Sequence, residues 1–254
     1  MFSREGSARS DGQNRRLAGY LAGVGGFVNS AGFVLIGTFT SHVTGNVGRL
    51  ANDAALGHYA AAALALTMIV CFFGGAFCAS MIVESRFLGG PASRSYACAL
   101  AVEVGLLLLF TGLSYVTTSA HARVQDAEAA LLCAAMGLQN ALVTRLSGAV
   151  VRTTHLTGVI TDLGIECARW LRFYGKSLAD KSALSGVFGR NVAERPALPR
   201  LLLLSTIAAS FFAGATAGAF SATRYHHASM LVAAGAVAFF AAYALRSERV
   251  LAAR

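Results

Sequence analysis

The chain has 254 residues, of which 56% are hydrophobic and 13% charged, against about 45–50% and about 25% in an ordinary soluble domain. With a mean hydropathy of +0.59, 27 glycines and 3 prolines, this excludes disordered, collagen-like and low-complexity chains and argues against a soluble enzyme. A net charge of +9 serves either to bind a polyanion or to fix orientation at the inner face of a membrane, and its distribution along the chain decides which.

Residues 1–16 read as a polar tail carrying Arg4, Arg9, Arg15 and Arg16. A membrane-spanning helix needs about 20 mostly apolar residues, and six segments qualify: 17–39, 59–83, 96–118, 127–147, 200–223 and 227–245. The first is too long for the apolar core of a cleaved signal peptide. It holds Gly23, Gly25, Gly26, Gly32 and Gly37, a density that predicts a kink or unwinding within the span. Gly19-x3-Gly23, and Gly214-x3-Gly218 in the fifth span, are small-residue faces for close helix contact.

With six spans and an inner N-terminus, 18 of the 21 basic residues fall on the inner side. Only Arg49, Arg123 and Arg224 fall in outer connections. Both termini are therefore expected on the cytoplasmic side, and the charge is topology rather than a polyanion site. The cysteines Cys71, Cys78, Cys98, Cys133 and Cys167 are odd in number with no Cys-x-x-Cys pair, which favours small apolar packing over disulfide or metal chemistry.

The sequence repeats itself in order. Thr40-Ser41-His42-Val43-Thr44-Gly45 matches Thr153-Thr154-His155-Leu156-Thr157-Gly158, and Gly26-Phe27-Val28-Asn29 matches Gly137-Leu138-Gln139-Asn140. Phe72-Phe73-Gly74-Gly75-Ala76 matches Phe211-Phe212-Ala213-Gly214-Ala215. The spacing then lengthens, and the polar stretch 175–199 accommodates an insertion. Each unit, 17–118 and 127–247, holds three spans, and an odd number of crossings sets the two units in opposite orientations.

Gly19-Tyr20, then Gly25-Gly26-Phe27-Val28-Asn29-Ser30-Ala31-Gly32-Phe33, with Phe39-Thr40-Ser41-His42-Val43-Thr44-Gly45-Asn46, resembles the signature of the YoaK family of bacterial membrane proteins. Gly137-Leu138-Gln139-Asn140-Ala141, with Arg152-Thr153-Thr154-His155-Leu156-Thr157-Gly158, is similar to that family's second signature. The resemblance implies a multi-pass protein of the bacterial inner membrane, permease-like and without an established reaction. That family often has an aspartate where Asn29 stands.

After each Thr-Gly turn the polar positions recur every three or four residues. They are Asn46, Arg49 and Asp53 in one half and Asp162, Glu166 and Arg169 in the other, so each set shares a helix face. A helix is expected to start at each turn, with Thr44 and Thr157 as caps. Two readings are open: a cap with a solvated face, or a substrate or ion site formed by two helix N-termini. His42 and His155 serve structural hydrogen bonding, pH-dependent gating or metal binding. The repeat also sets Arg49 opposite Asp162, a candidate pseudosymmetric ion pair if the two turns meet.

Asn29, Gln139 and Asn140 lie inside spans, either bonding between helices or lining a pore. Glu103, deep in the third span, is costly as a free carboxylate, so it either couples a proton or cation or pairs with Arg145 or a histidine. No nucleotide-binding loop, zinc-protease motif, nucleophile elbow or basic aromatic stripe is present, so no cofactor, metal or nucleic acid is expected.

The expectation is an all-α membrane protein of six transmembrane helices in a 3+3 inverted repeat, a small secondary permease working by alternating access rather than an enzyme. Its candidate site for a small solute or ion is Asn29, Thr40, His42, Thr44, Gly45, Asn46, Glu103, Asn140, Thr154, His155, Thr157, Gly158 and Asp162. The rivals are a non-transporting scaffold or sensor, and a lipid-modifying enzyme with His42 or His155 as base.

Overall fold

The computed structural model describes residues 10–85, 92–116, 122–149, 151, 153–179 and 197–252, and every regular element among them is helical. They are α1 (Asp11–Ile36), α2 (Val43–Ala55), α3 (Tyr59–Glu84), α4 (Ala92–Val116), α5 (Ala122–Leu146), α6 (Leu156–Ala179), α7 (Leu198–Tyr225) and α8 (Met230–Ala252). Arg4, Arg9, Arg86, the end of the third expected span at Thr118 and residues 180–196 of the expected insertion lie outside the described residues.

Among the described residues five stretches are long and apolar enough to cross a bilayer: Asp11–Ile36, Tyr59–Glu84, Ser93–Tyr115, Val124–Leu146 and Leu198–Tyr243. The last has 46 residues, or about 69 Å of helix at 1.5 Å per residue against a hydrocarbon core of about 30 Å. A single 3-10 turn at His226–Ser229 divides it into α7 and α8, and His226 takes a left-handed φ of 49° there. Large apolar side chains such as Phe73, Phe212, Phe220 and Phe239 point outward, a surface suited to lipid rather than water.

Helix α1 begins at Asp11, before the apolar run, because Ser10 and Gln13 form a capping box. The Gln13 N–H donates to Ser10 Oγ at 3.3 Å and the Ser10 N–H to Gln13 Oε1 at 3.2 Å, which satisfies amides the first helical turn leaves free. The expected unwinding does not occur: α1 continues as helix through its glycine cluster to Ile36 and ends only at Gly37, where φ is 72°.

The glycines are instead contact points. A Cβ on Gly26 would strike the Phe211 carbonyl, one on Gly214 the Gly23 carbonyl, and one on Gly218 the Phe27 carbonyl. Contacts climb together from Gly19 beside Thr206 to Phe27 beside Gly218, so α1 and α7 run parallel with their backbones touching. Without a hydrophobic drive between helices in lipid, such close approach carries association.

The same arrangement joins α3 to α5. A Cβ on Gly137 would strike the Phe72 carbonyl and one on Gly75 the Ala134 carbonyl. Position 26 corresponds to 137 and 72 to 211, while 23 corresponds to 134 and 75 to 214, so both close contacts occur twice at matched positions. The one glycine of the Phe-Phe block that is not duplicated explains itself: nothing lies within 4 Å of a Cβ on Gly74, and alanine occupies the matching position 213. Arg145 and Glu84, at the carboxy-terminal ends of α5 and α3, form an ion pair. Helix α8 packs along α4, α2 on α3, and α6 on α7.

Candidate functional site

The chain doubles back after α1. The Ser41 N–H and hydroxyl both donate to Asn29 Oδ1, at 3.1 and 2.9 Å. Asn29 precedes the helix end at Ile36 by seven residues, about 10 Å of helix, so residues 37–42 run back alongside α1 before α2 starts. After α5 the Thr154 hydroxyl donates to Asn140 Oδ1 at 2.7 Å, six residues before the helix end at Leu146. The Asn140 amide N–H donates to the Met136 carbonyl at 2.9 Å. Asn29 and Asn140 thus anchor the two turns, while Gln139 donates to the Leu21 carbonyl of α1 at 2.9 Å.

The expected threonine caps are not formed. Helix α2 begins at Val43 with His42 at the N-cap and no side-chain cap bond. Helix α6 begins at Leu156, after His155, whose carbonyl accepts the Val159 N–H. Thr44 and Thr157 are second in their helices, and a capping oxygen must come from the residue before the helix. The His-x-x-Gly spacing has its own reason. A Cβ on Gly45 would strike His42 Nδ1 and one on Gly158 would strike His155 Nδ1, so each imidazole lies over a bare first turn that only glycine provides.

Both turns line one cavity of about 480 Å³. From one side come Ser41, His42, Val43 and Thr44, and from the other Thr154, His155, Leu156 and Thr157, with Phe72, Asn140 and Thr144 closing the wall. Ser41 and Thr154 donate to the anchoring asparagines, and Thr144 donates to the Asn140 carbonyl at 2.8 Å. Ser41, Thr144 and Phe72 were not among the residues expected at the site. Ser41 was readable, since position 41 aligns with Thr154 and both carry a hydroxyl.

The remaining expected residues are distributed elsewhere. Thr40 is buried beside Gly32 with its hydroxyl unpartnered, and its repeat counterpart Thr153 is likewise buried and unpartnered. Asn46 is buried in α2. Glu103 is fully buried in α4, outside the cavity lining, and neither carboxyl oxygen has a hydrogen-bond partner.

The partners considered for Glu103 are engaged or distant. Arg145 is at the end of α5 on Glu84, and His227 is 3.5 Å from Glu128, which also accepts the Ser114 hydroxyl at 2.6 Å. His42 and His155 line the cavity.

Arg49 and Asp162 do not pair. Arg49 reaches the Thr38 hydroxyl at 3.4 Å, while Asp162 lies 3.3 Å from Arg200 in a second cavity of about 550 Å³ beside α1 and α7. Because α2 packs on α3 and α6 on α7, Asp162 finds its cation on the neighbouring helix. Glu166, only 2% exposed, is held by Arg169 at 2.8 Å and Arg200 at 3.4 Å, so within the Asp162, Glu166 and Arg169 face of α6 the middle carboxylate is covered while the other two side chains stay open.

A bundle of long apolar helices with lipid-compatible outer faces and a polar cavity at its re-entrant turns defines a multi-helix membrane protein. Residues 17–243 match the family model described as "Protein of unknown function (DUF1275)", and the chain belongs to that family. Searches of curated proteins and of solved structures find no match.

Proposed function

We propose that this protein is a small secondary permease of the bacterial inner membrane, built from two three-span units of opposite orientation that alternate in exposing one central cavity. The observation that carries the reading is that two polar turns 113 residues apart in sequence, His42 to His155, line the same cavity. Broken helices from two inverted units, meeting at a shared centre, are the plan of many secondary transporters. The duplicated glycine contacts of α1 with α7 and of α5 with α3 support two matched units. In this reading α7 and α8 are separate crossings, α2 and α6 enter from opposite faces, and both termini are cytoplasmic.

Each close pair takes one helix from either unit, so alternating exposure comes from moving the α1–α7 pair against the α3–α5 pair. Backbone-to-backbone contacts at Gly26, Gly137, Gly75 and Gly214 hold each pair together, and the cavity is lined by α3, α5 and the two turns. The test is side-specific labelling in a cysteine-free variant carrying Ser41→Cys or Thr154→Cys. In oriented vesicles a membrane-impermeant maleimide reaches each position from both faces over time, and a transported solute biases it to one. Labelling from a single face under every condition, with no flux in proteoliposomes across a broad solute panel, overturns the permease reading in favour of a scaffold.

A further inference from the structure

The chemistry left over in the cavity is narrow. Ser41, Thr144 and Thr154 spend their hydroxyl protons on protein acceptors, and Asn140 donates one of its two amide N–H groups and accepts at its oxygen. Among the described residues, His42, Thr44, His155 and Thr157 have no side-chain hydrogen-bond partner, two imidazoles and two hydroxyls related by the repeat. Phe72, Val43 and Leu156 supply apolar wall.

Among the described residues no Asp, Glu, Lys or Arg lines this cavity. The described charged groups of the elements around it lie outside its lining, Asp126 of α5 and Arg172 of α6 among them, and most of the others are paired elsewhere. On α2, Arg49 is on Thr38 and Asp53 is 3.9 Å from His58. On α3 and α5, Glu84 and Arg145 pair with each other, and Glu128 is held by Ser114 and His227. On α6, Asp162 and Glu166 are neutralised by Arg169 and Arg200.

A cation would find no carboxylate here. An anion would find hydroxyl donors and two groups able to acquire positive charge near neutral pH, since imidazole is the side chain whose ordinary titration falls there. His42, Thr44, His155 and Thr157 are all exposed, so an anion enters from an open cavity, and an imidazolium formed as it binds supplies the counter-charge that no charged side chain of the lining provides.

We infer that the cavity binds a small singly charged oxyanion together with one proton, which resides on the His42/His155 pair and makes the loaded site electrically neutral. This deepens the permease reading of the same cavity and rests on it. Thr44 and Thr157 donate to the anion's oxygens, and the apolar wall limits its size. The step is binding alone: one proton from water and one anion enter, and both leave on release.

The test uses the purified full chain in detergent, with nitrate and methanesulfonate as probes and glycerol as the neutral control. Both anions come from strong acids, so only the protein titrates between pH 7.5 and 5.5. Thermal shift and calorimetry in buffers of different ionisation enthalpy read affinity and proton uptake together. Nitrate binding is expected to tighten at least tenfold over that range, which by linkage corresponds to an average uptake of about half a proton or more per anion. The double variant His42→Gln/His155→Gln loses the pH dependence and binds at least tenfold more weakly. Thr44→Val/Thr157→Val, which leaves the imidazoles in place, weakens the anion but keeps the pH dependence.

Glycerol binding as tightly as the anions, anion binding without proton uptake, or no anion binding at either pH overturns the inference. Anion binding with proton uptake but no flux removes the permease and leaves the site. Flux of a neutral solute without anion binding does the reverse.

Discussion

The imidazole of His155 lies over Gly158, where any Cβ would strike its Nδ1, and His42 bears the same relation to Gly45. The obstructing atom belongs to a side chain, so a methyl group moves the ring rather than the helix. Gly45→Ala and Gly158→Ala are therefore expected to change thermal stability by less than about 1 kcal/mol, helped by alanine's better helix propensity. Ligand binding at the cavity is expected to fall at least tenfold. Thermal unfolding together with nitrate binding checks this, and unfolding of either variant contradicts it.

At Gly26, Gly137, Gly75 and Gly214 the obstructing atoms are backbone carbonyls of the facing helix, so an added methyl must push two helices apart. Each Gly→Ala change there is expected to cost about 1–3 kcal/mol, the range for overpacking. Gly74→Ala and Gly105→Ala, with nothing within 4 Å, are expected to be neutral or stabilising. A thermal denaturation series in detergent ranks the six variants. Equal loss at open and closed positions would show that these glycines do not set helix spacing.

Asn29 accepts two hydrogen bonds from Ser41 through a single oxygen. An aspartate supplies the same acceptor, so Asn29→Asp should preserve the turn. Asn29→Leu leaves the Ser41 N–H and hydroxyl without it, at about 1–3 kcal/mol for buried groups left unsatisfied. Accessibility of a cysteine at the neighbouring buried position Thr40, which leaves the Ser41 bonds in place, reports the difference, increasing in the leucine variant and unchanged in the aspartate variant.

Arg200 bridges Asp162 and the nearly buried Glu166. Truncating it is expected to destabilise the α6–α7 contact by about 1–3 kcal/mol, the scale of hydrogen bonds to charged groups, less than full exposure of a buried charge because Arg169 stays on Glu166. Arg200→Ala combined with Glu166→Gln should recover part of the loss in thermal denaturation. Simple addition of the two single losses would show that the residues do not act as a unit.

Glu103 is buried with neither carboxyl oxygen hydrogen-bonded. Glutamine keeps its shape without a charge, so Glu103→Gln should fold with unchanged or higher melting temperature. Glu103→Lys places an ammonium in the same unpartnered position and should abolish folded protein. Size-exclusion profiles of membrane extracts distinguish the two outcomes.

The long apolar segments and the Thr-Gly turns were legible in the sequence because each is a local pattern, and the duplicated blocks were legible because both copies survive in order, although the asparagines' part in anchoring the turns was not. The helical start at Asp11 was also available, in the Ser10-x-x-Gln13 capping box. The α1 glycines were only partly legible: Gly19-x3-Gly23 reads as a contact face, but the cluster as a whole reads as a kink. A glycine cluster has the same local signature whether it bends a helix or admits a neighbour, and only the position of α7 shows that it admits one. Ion pairing was hidden for the same reason: the repeat offered Arg49 as the partner of Asp162, and the packing of α6 on α7 gave it Arg200.

Hydropathy and composition by themselves determined a multi-helix membrane protein, since the cost of placing polar backbone and charge in lipid leaves little freedom over long apolar stretches. Tertiary structure alone decided that the two turns meet at one cavity and that its free polar groups are two imidazoles and two hydroxyls. The hydrogen bonds that occupy the other polar groups are local, such as Ser41 to Asn29 and Thr154 to Asn140, but the meeting of the two turns at one cavity joins residues more than 100 positions apart, which no local pattern encodes.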